Sequence, residues 1–369
     1  MFSTVATDLP LTKSMITSAQ IIGGRSLGGA ELFYARLVSA LHRRGHPTLA
    51  VTVPDSLIAT EIPPDVPRLQ IAMRGVWDLW ARWHIQKAMR QHHPDIVQTY
   101  MGRATRLTHL SARQRPIHIA RLGGYYAIDG YQHAHAWIGN TRGICDYLIQ
   151  GGLPSGRVFH ISNFITPSAP RPPERLAQCR HALHLPDDAL LVVAVGRLHP
   201  VKGIEDLLAA FAQLPACLAG RPVHLIIVGD GPLNQSLRHL AKQLGITARV
   251  CWTGWQRDPG DFQELADLIV CPSRHEPLGN VILEAWARRR PVLATRTLGP
   301  AEIARHEHDA WLTPVADPIA LADAMQLLLS DAALRAELAA NGYRTLLARH
   351  SEDAIVSAYL DLYTRLLAQ

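Results

Sequence analysis

The chain has 369 residues, a hydrophobic fraction of 48% and a formal net charge of +6. This length suits two domains better than one core. No apolar run approaches the ~20 residues of a membrane-spanning helix, and the N-terminus MFSTVATDLPLTKS lacks the apolar segment of a signal peptide, which predicts a cytoplasmic protein. Five cysteines without a C-x2-C pair are predicted to be reduced core residues, which argues against a disulfide framework.

The basic charge belongs to the first part of the chain. Residues 1–168 contain 17 Lys and Arg against 9 Asp and Glu, a net +8, whereas residues 169–369 contain 20 against 22, a net −2. The close histidine pairs have no carboxylate or cysteine at a ligand spacing, and no H-E-x-x-H occurs. We therefore predict solvated histidines and no metal site; the pairs are His92 and His93, His133 and His135, and His306 and His308.

In chain order, strand-like runs alternate with helical patterns such as ELFYARLVSALHRRG. The runs of the first part are SMITSAQII, TLAVTV, DIVQTY, IHIARL, AWIGN and VFHIS. A proline-rich segment, ITPSAPRPPE (Ile165 to Glu174), is the best candidate for a linker. After it follow LLVVAVG, VHLIIVG, RVCWTG, LIVCPS and PVLAT, and an amphipathic final helix, SEDAIVSAYLDLYTRLLA.

Alternating strands and helices predict an α/β protein with two parallel sheets, each covered on both faces, and a ligand cleft at the carboxyl ends of the strands. We predict a first domain over residues 1–168, a second over 169–350, and a last helix over 351–369 that packs back on the first domain.

One helical segment of the first part, RGVWDLWARWHIQKAMR, contains three tryptophans, Trp77, Trp80 and Trp83, among basic residues. A helix before the strand DIVQTY must bury an apolar face, which favours core packing of the tryptophans; a helix lying on a membrane interface is the alternative. The segment GRATRLTHLSARQR adds four cations, Arg103, Arg106, Arg113 and Arg115. The charge predicts an anionic or lipid-linked glycan partner, or a membrane surface bearing one.

In the second part, four loops each follow a strand-like run. GRLHPVKG contains Arg197 and Lys202, which could bind a diphosphate as a fork and a point charge. VGDGP is a tight turn that contains Gly231, and LGPAEI opens another helix. Solvated cations at loop tips are the alternative reading of Arg197 and Lys202.

The fourth loop, SRHEPLGNVILEAWA, carries two glutamates. We predict Glu276 in the loop and Glu284 about two turns into the following helix. The amides of Leu278, Gly279 and Asn280 would point out of the helix N-terminus, where a phosphate or a sugar oxygen is favoured. Alternatively, Glu276 caps the helix and Glu284 is solvated. Neither G-x-G-x-x-G nor a Walker A loop is present, which weakens dehydrogenase and NTPase hypotheses.

The ordered set GRLHPVKG, VGDGP, EPLGNVILEAWA and LGPAEI, with SLGGAE near the start, resembles the GT-B glycosyltransferases of family GT4 over nearly the whole chain. The segment RLGGYYAIDGYQHAHAWIGNT further resembles the bacterial branch that assembles cell-surface and lipopolysaccharide glycans. The resemblance implies a retaining, metal-independent transfer of a hexose-type sugar from a nucleotide-diphosphate sugar, linked to UDP or GDP, to a glycan hydroxyl.

The same resemblance assigns residue roles. Arg197 and Lys202 would bind the donor diphosphate, Glu276 the transferred sugar and Glu284 the ribose. Donor contacts are also expected from Gly231, Leu278, Gly279 and Asn280. Gly28 and Gly29 of SLGGAE would face the phosphate or the acceptor, an ordinary turn being the alternative.

The sequence departs from the family pattern at three places. Where the family often has a histidine after the strand IHIARL, this chain has Leu122, so we predict Arg121 as the substitute and His118 as a packed core residue. Leu298 stands where a glycine is usual. Arg289 replaces a glycine-containing helix end, where it would adopt a left-handed conformation at a cost of roughly 1–2 kcal/mol.

Three other functions stay open at this stage. A glycosidase would need two carboxyl groups across one bond and would have no use for a diphosphate clamp. A non-catalytic nucleotide-sugar sensor could keep the donor site without an acceptor site. A transferase acting on a small neutral soluble acceptor would not need the basic first half.

Overall fold

A computed structural model describes residues 15–110 and 116–369. The first seven strands are β1 (Ser18–Ile22), β2 (Thr48–Thr52), β3 (Arg68–Gln70), β4 (Ile96–Tyr100), β5 (Ile117–Leu122), β6 (Ala136–Gly139) and β7 (Val158–His160). They form one sheet in the order β3-β2-β1-β4-β5-β6-β7. The helices of this stretch are α1 (Gly29–Arg43), α2 (Leu79–His92), α3 (Met101–Leu107) and α4 (Arg142–Gln150).

The second sheet has the order β11-β10-β8-β12-β13-β14, with β9 paired to β10. Its strands are β8 (Leu190–Val195), β9 (Cys217–Leu218), β10 (Arg221–Val228), β11 (Val250–Gly254), β12 (Leu268–Cys271), β13 (Val292–Thr295) and β14 (Trp311–Thr313). The helices that follow residue 172 are α5 (Pro173–Ala182), α6 (Ile204–Gln213), α7 (Asn234–Gln243), α8 (Gly260–Leu265), α9 (Asn280–Ala287), α10 (Leu298–Ile303), α11 (Pro318–Ser330), α12 (Ala332–Arg349) and α13 (Glu352–Leu367).

Strand burial explains why these runs form parallel sheets. Every residue of β1, β2 and β4 is buried, as expected where helices cover both faces. In β8, Val192 and Ala194 belong to one hydrophobic cluster and Leu191 and Val193 to another, because successive side chains point to opposite faces. The α/β prediction is confirmed. The short strands β3, β9 and β14 were not predicted, since two or three residues carry little periodicity.

The chain divides into two compact units. The first unit contains residues up to Arg121, Asp129–Trp137 and Ala358–Gln369, and the second contains Leu122–Ile128 and Ile138–Ser357. The second half of α13 thus belongs to the first unit, which confirms the predicted return of the last helix. The limits at 168 and 350 stay predictions, because this division passes instead through β5, β6 and α13.

Polar side chains hold the end of α13 in the first unit. The Tyr363 hydroxyl donates to Gln98 Oε1 (2.9 Å), and Gln20 Nε2 donates to the Tyr363 hydroxyl (3.3 Å). All three side chains are buried, so each bond satisfies a group that would otherwise be costly to bury. The network fixes α13 on the sheet by way of β1 and β4.

The prediction that the three tryptophans pack in the core is wrong. Trp77, Trp80 and Trp83 are 81%, 75% and 49% exposed. The buried side of α2 consists instead of Ala81, Ile85, Ala88 and Met89. Within residues 15–110 and 116–369, no helix combines the length and apolar character that crossing a bilayer requires.

Three smaller predictions met different outcomes. Arg289 has φ 54°, which confirms its left-handed conformation. The solvated state predicted for the histidine pairs is wrong for His133, which is half-buried and stacks on His109 with ring centroids 4.0 Å apart. The five cysteines are free, but Cys217 is exposed and is not a core residue.

Candidate functional site

The candidate site lies at the carboxyl ends of β8 and β12, which are neighbours in the sheet although four strands apart along the chain. This is the point where the strand order reverses, and parallel α/β sheets bind ligands in the crevice there. The loop after β8 contains Arg197 and Lys202, and the loop after β12 contains Glu276. The topology therefore brings two of the four predicted loops together at one edge.

Glycines allow these loops to pack closely. Gly203 has φ 61°, and a Cβ atom there would collide with the carbonyl oxygen of Pro272 in the neighbouring loop. A Cβ on Gly231 would lie 2.5 Å from the Leu198 carbonyl oxygen, and one on Gly299 would lie 2.5 Å from the Leu278 backbone. The predicted turn at Gly231 thus supports the loop of Arg197 and Lys202 through backbone contact.

Lys202 and Glu276 form an ion pair across the strand ends. Lys202 Nζ donates to Glu276 Oε2 at 2.5 Å, and Ser273 Oγ donates to the same oxygen at 3.3 Å. Burial lowers the pKa of Lys202, but the Glu276 carboxylate and Cys271 together more than offset it, so the pKa lies above the ordinary value. Lys202 is therefore a permanent cation, and Glu276 lies beside it as a hydrogen-bond acceptor.

Arg197 differs from its neighbour. Its side chain is exposed, and it has no hydrogen-bond or ion-pair partner within the described ranges. The β12 loop is instead anchored by Arg274, which makes a bidentate pair with Asp206, both N···O distances being 2.7 Å. Arg197 thus has its donors available at the loop surface, while Arg274 is committed to structure.

The helix α9 begins beside the ion pair. Its N-cap is Gly279, with φ 102°, and no side chain caps the helix. The interpretation of Glu276 as a cap is therefore wrong. The Asn280 side chain accepts a hydrogen bond from Asn163 Nδ2 at 2.7 Å, and the Gly299 amide donates to the Glu276 carbonyl at 3.0 Å. The positive end of α9 and the amides around Leu278 offer an anion site.

Glu284 is the fifth residue of α9, little more than one turn from the start at ~3.6 residues per turn, so its prediction two turns in was too far. It is half-buried and accepts a hydrogen bond from Gln263 Nε2 at 3.2 Å. Gln263 Oε1 accepts in turn from Arg288 Nε at 3.0 Å. The interpretation of Glu284 as a solvated residue is wrong, because α8 holds its carboxylate.

Gly28 and Gly29 lie in the first unit, at the start of α1. Gly28 is the N-cap, and a Cβ on it would lie 2.8 Å from Oε2 of Glu31. Burial raises the pKa of Glu31, and the backbone N–H groups of Glu31 and Gly28 act against this by donating to its carboxylate. Close contact with Glu31 accounts for a glycine at 28. The predicted contact of Gly28 and Gly29 with a ligand stays a prediction.

Arg121, also in the first unit, is only 2% exposed. Its Nε donates to the Tyr359 hydroxyl at 2.8 Å, and its guanidinium lies 3.9 Å from the centroid of the Phe33 ring. These contacts tie β5 to α13. They support a packing role, and the catalytic role of Arg121 stays a prediction. His118 is fully buried, which confirms its assignment to the core.

Several side chains at the site could not be picked out from the sequence. Ser273 and Asp206 carry no motif of their own, and their partners are up to 68 residues away. Tyr125 was also missed, although its ring centroid lies 6.2 Å from that of His275. Only Gln263, three residues after the glycine that opens α8, had a recognisable setting. In the part of the chain that the structure describes, no three His, Cys, Asp or Glu side chains are grouped to hold a metal ion.

Comparison with known proteins agrees with this geometry. The family described as glycosyl transferases group 1 matches residues 178–345, and glycosyltransferase family 4 matches residues 27–169. The chain is 34% identical to the lipopolysaccharide core biosynthesis glycosyltransferase LpsD of Rhizobium meliloti, over 93% of this chain and 96% of that protein. It is 32% identical to LpsE of the same organism, over 91% and 95%.

Solved structures share the fold at lower identity. HepE of Anabaena, in complex with UDP and glucose, has a TM-score of 0.80 and 20% identity, covering 95% of this chain and all of that one. WaaG, a glycosyltransferase involved in lipopolysaccharide biosynthesis, has a TM-score of 0.73 and 18% identity, with the same coverage. With two Rossmann-like sheets, the four loops in order and relatives that match almost end to end, the chain belongs to the family 4 glycosyltransferases of GT-B fold.

Proposed function

We propose that this glycosyltransferase moves a hexose-type sugar from a nucleotide-diphosphate sugar to a glycan hydroxyl, with retention of configuration and without a metal ion. The observation that carries the proposal is the Lys202–Glu276 pair at the strand ends, beside the N-terminus of α9. A cation, a carboxylate and free amides within one loop cluster match a sugar attached to a diphosphate.

Each part of the donor has a candidate ligand. Lys202 and Arg197 would bind the diphosphate together with the amides around Gly279. Glu276 would accept from hydroxyl groups of the sugar, and Glu284, held by Gln263, from the ribose. Charge-assisted bonds of this kind are each worth on the order of 1.5–3 kcal/mol. HepE was solved in complex with UDP and with UDP-glucose, which favours a UDP-linked donor.

Retention requires no enzymic nucleophile in this scheme. The bond from the anomeric carbon to the phosphate oxygen breaks, and the acceptor oxygen bonds to the same face of that carbon. The acceptor proton passes to the departing phosphate oxygen. Lys202, Arg197 and the helix N-terminus would stabilise the charge that develops on the diphosphate, which is the task of a divalent ion in other transferases.

The acceptor is proposed from charge and relationship. LpsD and LpsE are named for lipopolysaccharide core biosynthesis, and residues 1–168 carry a net charge of +8. Both support an anionic or lipid-linked glycan acceptor, with the enzyme working at the cytoplasmic face of a membrane. Transfer to a small neutral acceptor would contradict this part of the proposal.

One experiment tests the reaction. The protein is incubated with UDP- and GDP-sugars and a lipopolysaccharide-core acceptor, with and without EDTA, and the anomeric configuration of the product is read by NMR. We expect transfer with the configuration of the donor, undiminished by EDTA. An inverted product refutes retention, and loss of turnover that Mg²⁺ restores refutes the metal-free mechanism. Donor binding without transfer or hydrolysis would identify a sensor.

The variant Glu276→Gln sharpens the test, because it keeps the shape of the side chain and removes its charge. We expect the turnover number to fall by more than the affinity for the bare nucleoside diphosphate, since the carboxylate contacts the sugar. Calorimetry with UDP and initial rates with the sugar donor measure the two quantities. Equal losses would place Glu276 on the ribose or the base.

A further inference from the structure

The start of α2 and the residue before its N-cap carry an exposed apolar surface that the proposed transfer does not use. Trp77 and Trp80 are 81% and 75% exposed, and Leu79 between them is 70% exposed. Trp83, one turn later, is 49% exposed, and its ring meets that of Trp80 edge-on with centroids 6.4 Å apart. We call these four residues, with Lys87 and Arg90, the α2 face.

The exposure follows from how α2 is fixed. Asp78 caps the helix by accepting from the Ala81 amide (3.0 Å), and it also accepts from the Arg74 amide (3.1 Å). The helix then packs on the sheet through Ala81, Ile85, Ala88 and Met89, a stripe at helical spacing. Trp80, Trp83, Lys87 and Arg90 follow a second stripe on the other side. The core of the unit is complete without the tryptophans.

The positive charge of the α2 face determines which kind of surface it can bind. Residues 79–92 contain three Lys and Arg and no Asp or Glu. Lys87 lies with its Nζ 5.1 Å from the centroid of the Trp83 ring, and both Lys87 and Arg90 are exposed. A cleft of about 560 Å³ adjoins the helix, with Arg74, Lys87 and His84 among its lining residues. Aromatic and cationic groups therefore share one surface.

A contiguous exposed apolar patch on a soluble domain marks a binding surface for a protein or a membrane. The centre of a protein interface is depleted in lysine, whereas this face places a lysine against the ring of a central tryptophan. Tryptophan is enriched where an apolar body meets water at the headgroup level, and helices that lie on a membrane carry cations beside their aromatic side. The composition favours a bilayer.

We propose that the α2 face docks this enzyme on an anionic lipid bilayer. Trp77, Leu79, Trp80 and Trp83 enter the boundary between headgroups and acyl chains, and Lys87 and Arg90 bind lipid phosphates. The α2 face belongs to the first unit and the loops that would bind the donor belong to the second, so we expect docking to need neither donor nor turnover. It rests on the proposed function only in that a lipid-linked acceptor gives docking its purpose.

Vesicle co-sedimentation tests this directly. The full-length protein is mixed with vesicles of phosphatidylcholine alone, or of phosphatidylcholine with phosphatidylglycerol, at low and high salt. We expect binding to the anionic vesicles at low salt, and at least tenfold weaker binding at high salt because exposed charges are screened. Strong binding to neutral vesicles that salt does not change overturns the role of the cations.

Two variants separate the aromatic and cationic contributions. The triple variant Trp77→Ser, Trp80→Ser, Trp83→Ser and the double variant Lys87→Glu, Arg90→Glu should each lower vesicle affinity at least tenfold. Matched controls in the second unit are Trp255→Ser, which removes a 54% exposed tryptophan, and Lys242→Glu on exposed α7. The controls should bind vesicles like the wild type. Equal losses in variants and controls overturn the assignment.

Further measurements keep the outcomes distinct. Thermal melting and UDP affinity of the triple variant should match the wild type, since the replaced side chains are outside the core. If the wild type is an oligomer that the triple variant converts to monomers, the face is a contact between copies and the membrane proposal fails. Vesicle binding without any sugar transfer would leave docking standing and defeat the proposed function alone.

Discussion

The two units of this enzyme share one strand order, but the loops at the corresponding strand ends carry different chemical groups. In each sheet the first strand of the unit lies between the second and the fourth, counted along the chain and leaving out β9. In the second unit the loops at this point carry the Lys202–Glu276 pair. In the first unit, the corresponding loop after β1 is glycine-rich and packs closely against the Glu31 carboxylate of the same unit.

The difference shows that the sheet supplies a position and the loops decide its use. The second unit has nearly balanced charge and fixes its charged groups in pairs across neighbouring loops. The first unit carries the excess positive charge, and it exposes cations and tryptophans on α2 and just before it. We therefore expect that recognition of the proposed donor and binding to the proposed membrane surface can be altered separately.

The largest expected effect comes from Lys202→Ala. Removing a half-buried cation from the leaving diphosphate should lower kcat/KM by about 10²- to 10³-fold, because the charge acts in the ground state and the transition state. Vesicle binding should not change, since Lys202 belongs to the second unit. Initial rates and co-sedimentation measure the two, with Lys242→Ala as the control. Wild-type kinetics in the folded variant would remove Lys202 from the donor site.

The second largest expected effect is the loss of stability in acid. Burial lowers the pKa of His350, in the second unit, from its ordinary 6.5 to about 4. Below pH 6.5 the His350 side chain binds a proton in the unfolded chain but not in the folded chain. The free energy of unfolding therefore falls between about pH 6.5 and 4, by on the order of 3 kcal/mol at the acid end.

Denaturation in urea at pH 7 and pH 4.5 measures this loss, and His350→Asn should reduce it. Burial also holds the pKa of His118, in the first unit, well below its ordinary value. His118→Asn should therefore reduce the acid loss in the same direction. Variants as acid-sensitive as the wild type would show that other groups govern the acid transition.

The smallest effect concerns Gln263, which positions Glu284 without reaching the proposed ligand itself. Gln263→Leu removes the hydrogen bond of 3.2 Å to the carboxylate, and we expect nucleotide affinity to fall by about two- to tenfold with kcat nearly unchanged. Calorimetry with UDP in a double-mutant cycle supplies the control. In a Glu284→Ala background the second change should have almost no further effect; additive losses would show that Gln263 acts elsewhere.

The fold was predictable because long buried strands are periodic and end in recognisable turns. Glu276 in its loop and the left-handed Arg289 were also predictable, since both depend on local sequence. The exposure of Trp80 was not, because helical spacing is the same for a buried stripe and an exposed one. Likewise, the contact of Arg274 with Asp206 depends on which loops the strand order brings together, and single residues in loops give no sign of it.

The ion pair at the strand ends means that Lys202 and Glu276 neutralise each other before a donor binds, whereas Arg197 adds a further positive charge. A diphosphate that takes the Lys202 N–H bonded to Glu276 leaves a carboxylate oxygen that then needs another donor. Hydroxyl groups of an attached sugar can supply one, whereas an ionised diphosphate group has no donor. The exchange therefore favours substrate over spent nucleotide, which would ease release of the product after each transfer.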